Sequence, residues 1–280
     1  MKKIILCADD FALSAPISEG IVELVEMGRL SAVSCMTEGK YWLDKNNRLP
    51  QLRDRIDIGL HFNLTQSFGT PKESLQTVIR ESLLGPLSRT RIENSLHDQL
   101  DLFESVMGEA PDFIDGHQHI HLFPRVRTVL LQTLARRYRH RRPWLRQVNP
   151  SLRAGTGRRK SLIIDVLGWG FAREAKRYGF DLNPSFSGIY TLHNQTDFGQ
   201  HMRQWLRHAS DGELIMCHPG KLEHNHAHDP AERDAITRTR ELTWLASDEF
   251  GALLHELDIA LVRFKDIAVK PDDAQTNRSS

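Results

Sequence analysis

Residues 3–10 read Lys-Ile-Ile-Leu-Cys-Ala-Asp-Asp, an apolar run that two aspartates end. A continuous apolar run of this length is typical of a strand that is buried on both faces of a parallel sheet. Adjacent aspartates after a strand can form a simple turn or cap a helix. They also put two carboxylates at the carboxyl end of a strand, where α/β proteins bind their ligands.

Outward from this strand, strand and helix patterns alternate along the chain. The alternation predicts an α/β fold with mainly parallel strands and outer helices. Seven or so strands favour an irregular (β/α) barrel, with a doubly wound open sheet as the alternative. Further strands are predicted at 31–36, 56–64, 112–118, 144–148, 213–217 and 258–264, and helices at 14–30, 88–107, 124–139, 161–177, 198–208, 230–246 and 248–256.

The length of 280 residues fits one barrel, and we expect a single catalytic domain over residues 1–268 with a disordered tail over 269–280. Residues 65–87 lack periodicity and carry two glycines and two prolines, so we expect a long surface loop that borders the ligand site. The segment 149–160, rich in glycine and arginine, is expected to shape specificity with it.

The composition excludes several classes of protein. Lys and Arg number 37 against 36 Asp and Glu, and this net charge of +1 argues against nucleic acid or an anionic membrane as the main partner. No apolar run approaches the roughly 18 residues that span a bilayer, and the run after Met1 is too short for a signal peptide. We therefore expect a cytoplasmic protein without membrane insertion, whose three cysteines are reduced and buried.

Polar side chains gather where the predicted strands end. Asp9 and Asp10 end the first, His61 lies near the end of another, and His218 with Pro219 follows the strand at 213–217. His117, His119 and His121 would point the same way on a strand, because side chains alternate. Taken alone, His61 reads as a hydrogen-bonded core histidine and Pro219 as a strand terminator. Together, an Asp and two His from separate strands predict an open site for one divalent metal, Zn²⁺ or Mg²⁺.

Other charged features receive simpler interpretations. The basic stretch 136–142 is interpreted as a solvated helix end, where cations complement the helix dipole. His224, His226 and His228 fall in a predicted loop and are not favoured as a second metal site. Arg238, Arg240 and Glu241 are interpreted as ion pairs on a helix surface, although one of them could brace the site.

Four ordered motifs carry a resemblance to a known family. They are Ala-Asp-Asp-Phe at 8–11, Gly-Leu-His-Phe at 59–62, Asp-Gly-His-Gln-His-Ile-His-Leu-Phe-Pro at 115–124 and Met-Cys-His-Pro at 216–219. Over about residues 1–265 the chain resembles the YdjC-like carbohydrate deacetylases, which include chitooligosaccharide deacetylase and a hopanoid-biosynthesis branch. The resemblance implies an irregular barrel, distantly similar to NodB-type polysaccharide deacetylases, that removes N-acetyl groups from amino sugars with a divalent metal.

The resemblance also implies roles for particular residues. Asp10, His61 and His117 would hold the metal, Asp9 would be the general base and His218 the general acid. Three further residues would orient a metal ligand or hold a carboxylate or the substrate, namely His119, His121 and Arg146. Ala12 stands where many family members have glycine, and we expect it to tighten the loop after the aspartates. An N-acetylated sugar is the implied partner, and family members often form homodimers.

Three hypotheses for the function remain open on the sequence. The first is metal-dependent hydrolysis of a sugar acetamide to acetate and a free amine. The second is a metal-dependent amidohydrolase or phosphoesterase that acts on a non-sugar substrate. The third is a carbohydrate-binding relative without catalysis, against which the intact Asp9, Asp10 and His218 speak, because a binding protein needs neither an acid nor a base.

Overall fold

The computed structural model describes residues 1–85, 87–149, 158–190, 197–222 and 230–267. Eight strands and eight α-helices alternate along these residues, together with four short 3-10 helices. The strands are β1 (Lys2–Phe11), β2 (Ala32–Cys35), β3 (Asp57–Phe62), β4 (Phe113–Gly116), β5 (Trp144–Leu145), β6 (Phe186–Ser187), β7 (Glu213–Cys217) and β8 (Ile259–Leu261). The 3-10 helices cover Lys40–Leu43, Leu49–Leu52, His117–Leu122 and Phe264–Asp266.

The helices lie mostly where the apolar periodicity predicts them. They are α1 (Ala15–Glu26), α2 (Leu75–Leu84), α3 (Arg89–Met107), α4 (Pro124–Arg137), α5 (Arg158–Arg177), α6 (Phe198–His208), α7 (Pro230–Ala246) and α8 (Asp248–Glu256). Ser14 begins α1 by accepting a hydrogen bond from the Ile17 N–H, and Pro16 occupies its first turn. Both are typical of a helix start.

The strands form one curled parallel sheet in the order β5-β4-β3-β2-β1-β7-β6, with β8 added beside the first residues of β1. The two edge strands approach each other through the segment before β6, because Leu145 forms a parallel bridge with Leu182 and its N–H donates to the Asp181 carbonyl. The sheet therefore curls into an irregular (β/α) barrel. The predicted fold class is confirmed, and the open doubly wound alternative is not adopted.

β1 lies at the centre of this architecture, as its apolar sequence predicts. It pairs with β2 on one side and with β7 on the other, and Ile4, Ile5 and Cys7 have no exposed surface. Because every pairing of the described strands is parallel, their carboxyl ends open toward the same mouth.

The predicted loop at 65–87 is wrong in its second half, where α2 lies. The Ser74 hydroxyl caps α2 by accepting from the Thr77 N–H, and Gly85 ends it with a left-handed φ of 100°. Val78 and Ser82 are its buried residues, so the apolar pattern is weak and only the two caps signal the helix. The sequence does not predict β6, because a strand of two residues is too short to show an alternating apolar pattern.

Several predictions fall on residues outside the described ranges. They concern the tail, the histidines at 224, 226 and 228, and most of the segment 149–160. In the part of the chain that is described, no helix is both long and apolar enough to cross a membrane.

Candidate active site

The end of β1 supplies two carboxylates to the mouth of the barrel. In a regular strand adjacent side chains point to opposite faces, yet Asp9 and Asp10 line the same cavity. The β1–β2 register shifts between Ala8 and Phe11, and Asp10 has a left-handed φ of 67°. Such a bulge re-aims a side chain, and aspartate tolerates this conformation better than most residues. Ala12 is also left-handed, with a φ of 69°, which fits the tight loop expected there.

β3 carries His61 in a fixed orientation. Its Nδ1 donates to Asp115 Oδ1 at 2.7 Å, and the same oxygen accepts the Ser34 hydroxyl at 2.6 Å. This leaves His61 Nε2 directed at Asp10 Oδ1, 3.4 Å away. A carboxylate that fixes the second ring nitrogen is the usual support of a histidine that binds a metal. Sequence reasoning did not single out Ser34 and Asp115, because their role depends on the pairing of β2, β3 and β4.

His117 lies in a 3-10 helix and not in the predicted strand. The segment from His117 to His121 is a kinked 3-10 helix in which Gln118 and His119 have φ values of 53° and 58°. The prediction that three histidines point the same way on a strand is therefore wrong. The kink directs His117 Nδ1 toward Asp10 Oδ1, at 3.1 Å.

Asp10, His61 and His117 together form a set of donors that fits a divalent cation. Their donor atoms all lie within 4.8 Å of one another, and the two Asp10 distances match the roughly 3.3 Å that separates ligands around a tetrahedral zinc ion. Burial would lower the pKa of His61, but the Asp115 and Asp9 carboxylates raise it to about 10. The carboxylates around this ring therefore favour a positive charge there. A bound metal ion would supply that charge in place of the proton.

A second set of donors, Asp9, His61 and Asp115, also lies within 4.8 Å. It is a poorer candidate for a metal site, because Arg146 forms ion pairs with both carboxylates. The Arg146 guanidinium is fully buried and binds Asp9 at 2.6 and 2.7 Å and Asp115 at 2.6 Å. A metal placed there would face this positive charge, so the first set is the better site.

Arg146 also determines the charge of Asp9. Burial by itself would raise the pKa of Asp9, but the bidentate Arg146 holds it well below its ordinary range. Asp9 is therefore ionised at neutral pH and can accept a proton. Of the two roles expected for Arg146, the structure places it on a carboxylate.

His218 follows β7 and is held through its main chain. Its N–H donates to Glu241 Oε2 at 2.6 Å, and the other oxygen of Glu241 accepts the Tyr190 hydroxyl. Glu241 has no exposed surface, and burial raises its pKa. Within the described residues, His218 Nδ1 is buried without a hydrogen-bond partner.

The helix-surface interpretation is wrong for Glu241 and for Arg238. Arg238 lies one helical turn before Glu241 on α7 and contacts Asp10 Oδ2 at 2.5 Å and the His218 carbonyl at 3.5 Å. One face of α7 therefore holds both Asp10 and His218, which matches the alternative that one of these residues braces the site. The exposed Arg240 fits the surface interpretation.

His119 borders the site, and His121 lies behind it. His121 Nε2 donates to the Arg146 carbonyl at 3.0 Å, which supports the backbone of that arginine. Burial and Arg146 lower the pKa of His119 to about 3, so its ring is neutral. Asp115, and neither of these histidines, provides the hydrogen bond to His61 Nδ1.

These side chains line a cavity of about 290 Å³ at the barrel mouth. It is bordered by Asp9, Asp10, His61, His117, His119, Tyr190, His218 and Arg238. The ionised Asp9 carboxylate thus faces the same space as the three candidate ligands, and so does the His218 imidazole, whose Nδ1 has no hydrogen-bond partner among the described residues. The arrangement can hold a cation, accept a proton and donate one.

Part of the chain is similar in sequence to proteins that are named as deacetylases. Chitooligosaccharide deacetylases of Salmonella paratyphi B and Salmonella typhimurium are each 29% identical to the chain over 144 residues. This match covers 48% of the chain and 56% of each relative, so the chain spans about half the length of the curated relatives it matches.

A crystal structure from Enterococcus faecalis V583, described as a cellobiose-phosphate cleavage protein, has the same fold. Its TM-score is 0.70 at 19% identity, over 94% of this chain and 98% of that one. The sequence profile described as YdjC-like protein matches residues 3–256. The chain belongs to the YdjC-like family, as its four ordered motifs predict.

Proposed function

We propose that the protein is a metal-dependent carbohydrate deacetylase, which hydrolyses the N-acetyl group of an amino sugar. The observation that carries the proposal is the convergence of Asp10, His61 and His117 on one point, beside Asp9 and His218 in the same cavity. The deacetylase names of the curated relatives support it. Two imidazoles and one carboxylate suit Zn²⁺ better than Mg²⁺, which prefers oxygen ligands.

Asp10, His61 and His117 would hold the divalent cation, which would supply Lewis acidity for the acetamide carbonyl and lower the pKa of water. Asp9 accepts a proton from the attacking water, and Arg146 keeps the Asp9 carboxylate ionised and oriented for this step. His218 donates a proton to the nitrogen as the C–N bond breaks, because an unprotonated amide nitrogen is a very poor leaving group. The products are acetate and a free amino sugar.

Acetate release from N-acetylated mono- and oligosaccharides tests the function directly. We expect the zinc-loaded protein to release acetate, the chelated protein to lose activity by about 100-fold or more, and added zinc to restore it. Elemental analysis should find about one metal ion per chain in the active protein. Activity that survives complete removal of the metal contradicts the proposal.

The His218→Ala variant tests the acid. We expect kcat on the sugar acetamide to fall by about 10²-fold or more, while the metal content stays unchanged, because His218 is not in the candidate ligand set. An aryl acetate ester serves as the matched substrate, since its leaving phenolate needs no proton. The variant should therefore lose far less activity on the ester, and an equal loss on both substrates contradicts the acid role.

A further inference from the structure

The hydrogen bonds between His218 and the other described residues go through its main chain. Its N–H donates to Glu241 Oε2 at 2.6 Å, and its carbonyl oxygen accepts from Arg238 Nη1 at 3.5 Å. Two residues further along the chain, the Gly220 N–H donates to the Arg238 carbonyl at 3.2 Å. Helix α7 therefore fixes the peptide from which the His218 ring extends.

This arrangement differs from the usual support of a catalytic histidine. A histidine that transfers a proton needs its ring at a fixed place, and a carboxylate often provides this by accepting the N–H of the other ring nitrogen. Asp115 fixes the ring of His61 in that way. Glu241 instead binds the peptide nitrogen of His218, whose Nδ1 has no partner in the described part of the chain. The place of the His218 ring thus depends on its backbone.

Glu241 also holds a second residue of the cavity wall. Its other oxygen, Oε1, accepts the Tyr190 hydroxyl, and Tyr190 borders the same cavity as His218. The Tyr190 ring packs against Phe198 and Trp205 of α6, with centroid distances of 6.0 and 5.8 Å. One carboxylate therefore connects the end of β7 to the aromatic side chains on α6.

Packing alone does not explain a glutamate at this position. Glu241 has no exposed surface, and burying a carboxylate costs free energy that an apolar side chain of the same size would not. What the carboxylate adds is two acceptors at fixed positions. Each of them binds a residue that borders the candidate active site.

We propose that Glu241 is a positioning residue, which places the His218 imidazole for proton donation to the leaving nitrogen. The proposal rests on the proposed function, in which His218 is the acid. Glu241 acts through its two hydrogen bonds, so a side chain that keeps both should keep most of the activity. Glutamine can keep both, since its carbonyl can accept the His218 N–H and its amide can donate to the Tyr190 oxygen.

Rates on two substrates test this role in the zinc-loaded protein. Glu241→Ala should lower kcat on a sugar acetamide by about 10²-fold, because a displacement of about 1 Å can cost that much. On an aryl acetate ester, whose phenolate leaves without a proton, the loss should stay within about 5-fold. Glu241→Gln should stay within about 10-fold of the wild type on the acetamide. Arg240→Ala, an exposed neighbour on α7, is the control and should change neither rate.

A double variant separates positioning from a general loss of structure. His218→Ala removes the ring that Glu241 places, so adding Glu241→Ala to it should lower kcat on the acetamide by less than about 2-fold further. If the two losses multiply instead, or if Glu241→Ala lowers both substrates equally, Glu241 only supports the fold and the positioning role is wrong. Acetate release by the wild type would still support the function in that case.

A wild type that releases no acetate from any sugar acetamide contradicts the proposed function, and crystal structures then decide the role of Glu241. A His218 ring that moves by about 1 Å or more in Glu241→Ala and stays in place in Glu241→Gln supports placement by the two hydrogen bonds. A ring that stays in place in Glu241→Ala, or that moves equally in both variants, overturns it.

Discussion

Replacing His117 with alanine is expected to abolish the bound metal and to reduce acetate release by about 10³-fold or more. His117 contributes one of three donors, and its Nδ1 lies 3.1 Å from Asp10 Oδ1. Two remaining ligands would hold a divalent cation far more weakly, and in the proposed mechanism the cation would supply the largest part of the charge stabilisation. Elemental analysis after gel filtration, together with acetate release, measures both effects.

His117 is the best of the three ligands for this experiment. Its side chain is 14% exposed, whereas those of Asp10 and His61 are 3% exposed and belong to buried networks that also support the fold. The alanine variant should therefore unfold at nearly the temperature of the metal-free wild type. His208→Ala, an exposed histidine at the end of α6, is the matched control and should keep both metal and activity. A His117→Ala protein that retains one metal ion per chain contradicts the ligand set.

The fold could be predicted from the sequence where an element is long or fully buried. The apolar run from Ile4 to Ala8 and the run at 213–217 each predict a buried core strand, and the structure pairs them as β1 and β7. The strand predicted at 144–148 is shorter in the structure, as β5, and β6 could not be predicted at all, because the pairing of these two-residue strands depends on the curl of the sheet around them. Helix α2 has a narrow buried stripe, so its pattern resembles that of a loop.

The candidate site could be predicted at the level of residue type and strand end. Asp10, His61 and His117 come together because parallel strands end at the same mouth, which the alternating pattern already implies. Their orientations could not be predicted. The left-handed backbone at Asp10, Gln118 and His119 carries no sequence signal, since none of the three is glycine.

The residues that support the site carry the weakest sequence signal. Ser34 and Asp115 act on His61 across three paired strands, so only the register brings them together. Arg238 and Glu241 lie on one face of α7, which looks like a charged surface until the helix packs on the barrel mouth. Opposite charges three residues apart on a helix are also typical of a surface ion pair, so this spacing does not distinguish an ion pair from two residues that support a site.

Replacing Arg146 with methionine is expected to have the largest effect on stability, a loss of about 3–5 kcal/mol in the free energy of unfolding. Arg146 is 0% exposed and is the cation that contacts the buried carboxylates of Asp9 and Asp115. Without it, Asp9 stays ionised in a low-dielectric interior without its bidentate partner, and Asp115 keeps only its hydrogen bonds from His61 and Ser34. Asp9 would take up a proton to relieve this cost, and a protonated Asp9 cannot act as the base, so activity should fall with stability.

Denaturant unfolding of the wild type and four variants separates the charge from the shape of the side chain. Arg146→Lys should be intermediate, since lysine keeps the charge but cannot bind Asp9 through two parallel bonds. Arg146→Met/Asp9→Asn should recover part of the lost stability, by a coupling of about 1–3 kcal/mol, because it removes one of the uncompensated charges, yet it should remain inactive. Arg141→Met, on the surface beside Glu109, is the control and should change stability by less than about 0.5 kcal/mol. If Arg146→Met were as stable as this control, the buried ion pairs would not hold Asp9 in place. That result would contradict the assignment of Asp9 as a base that Arg146 orients.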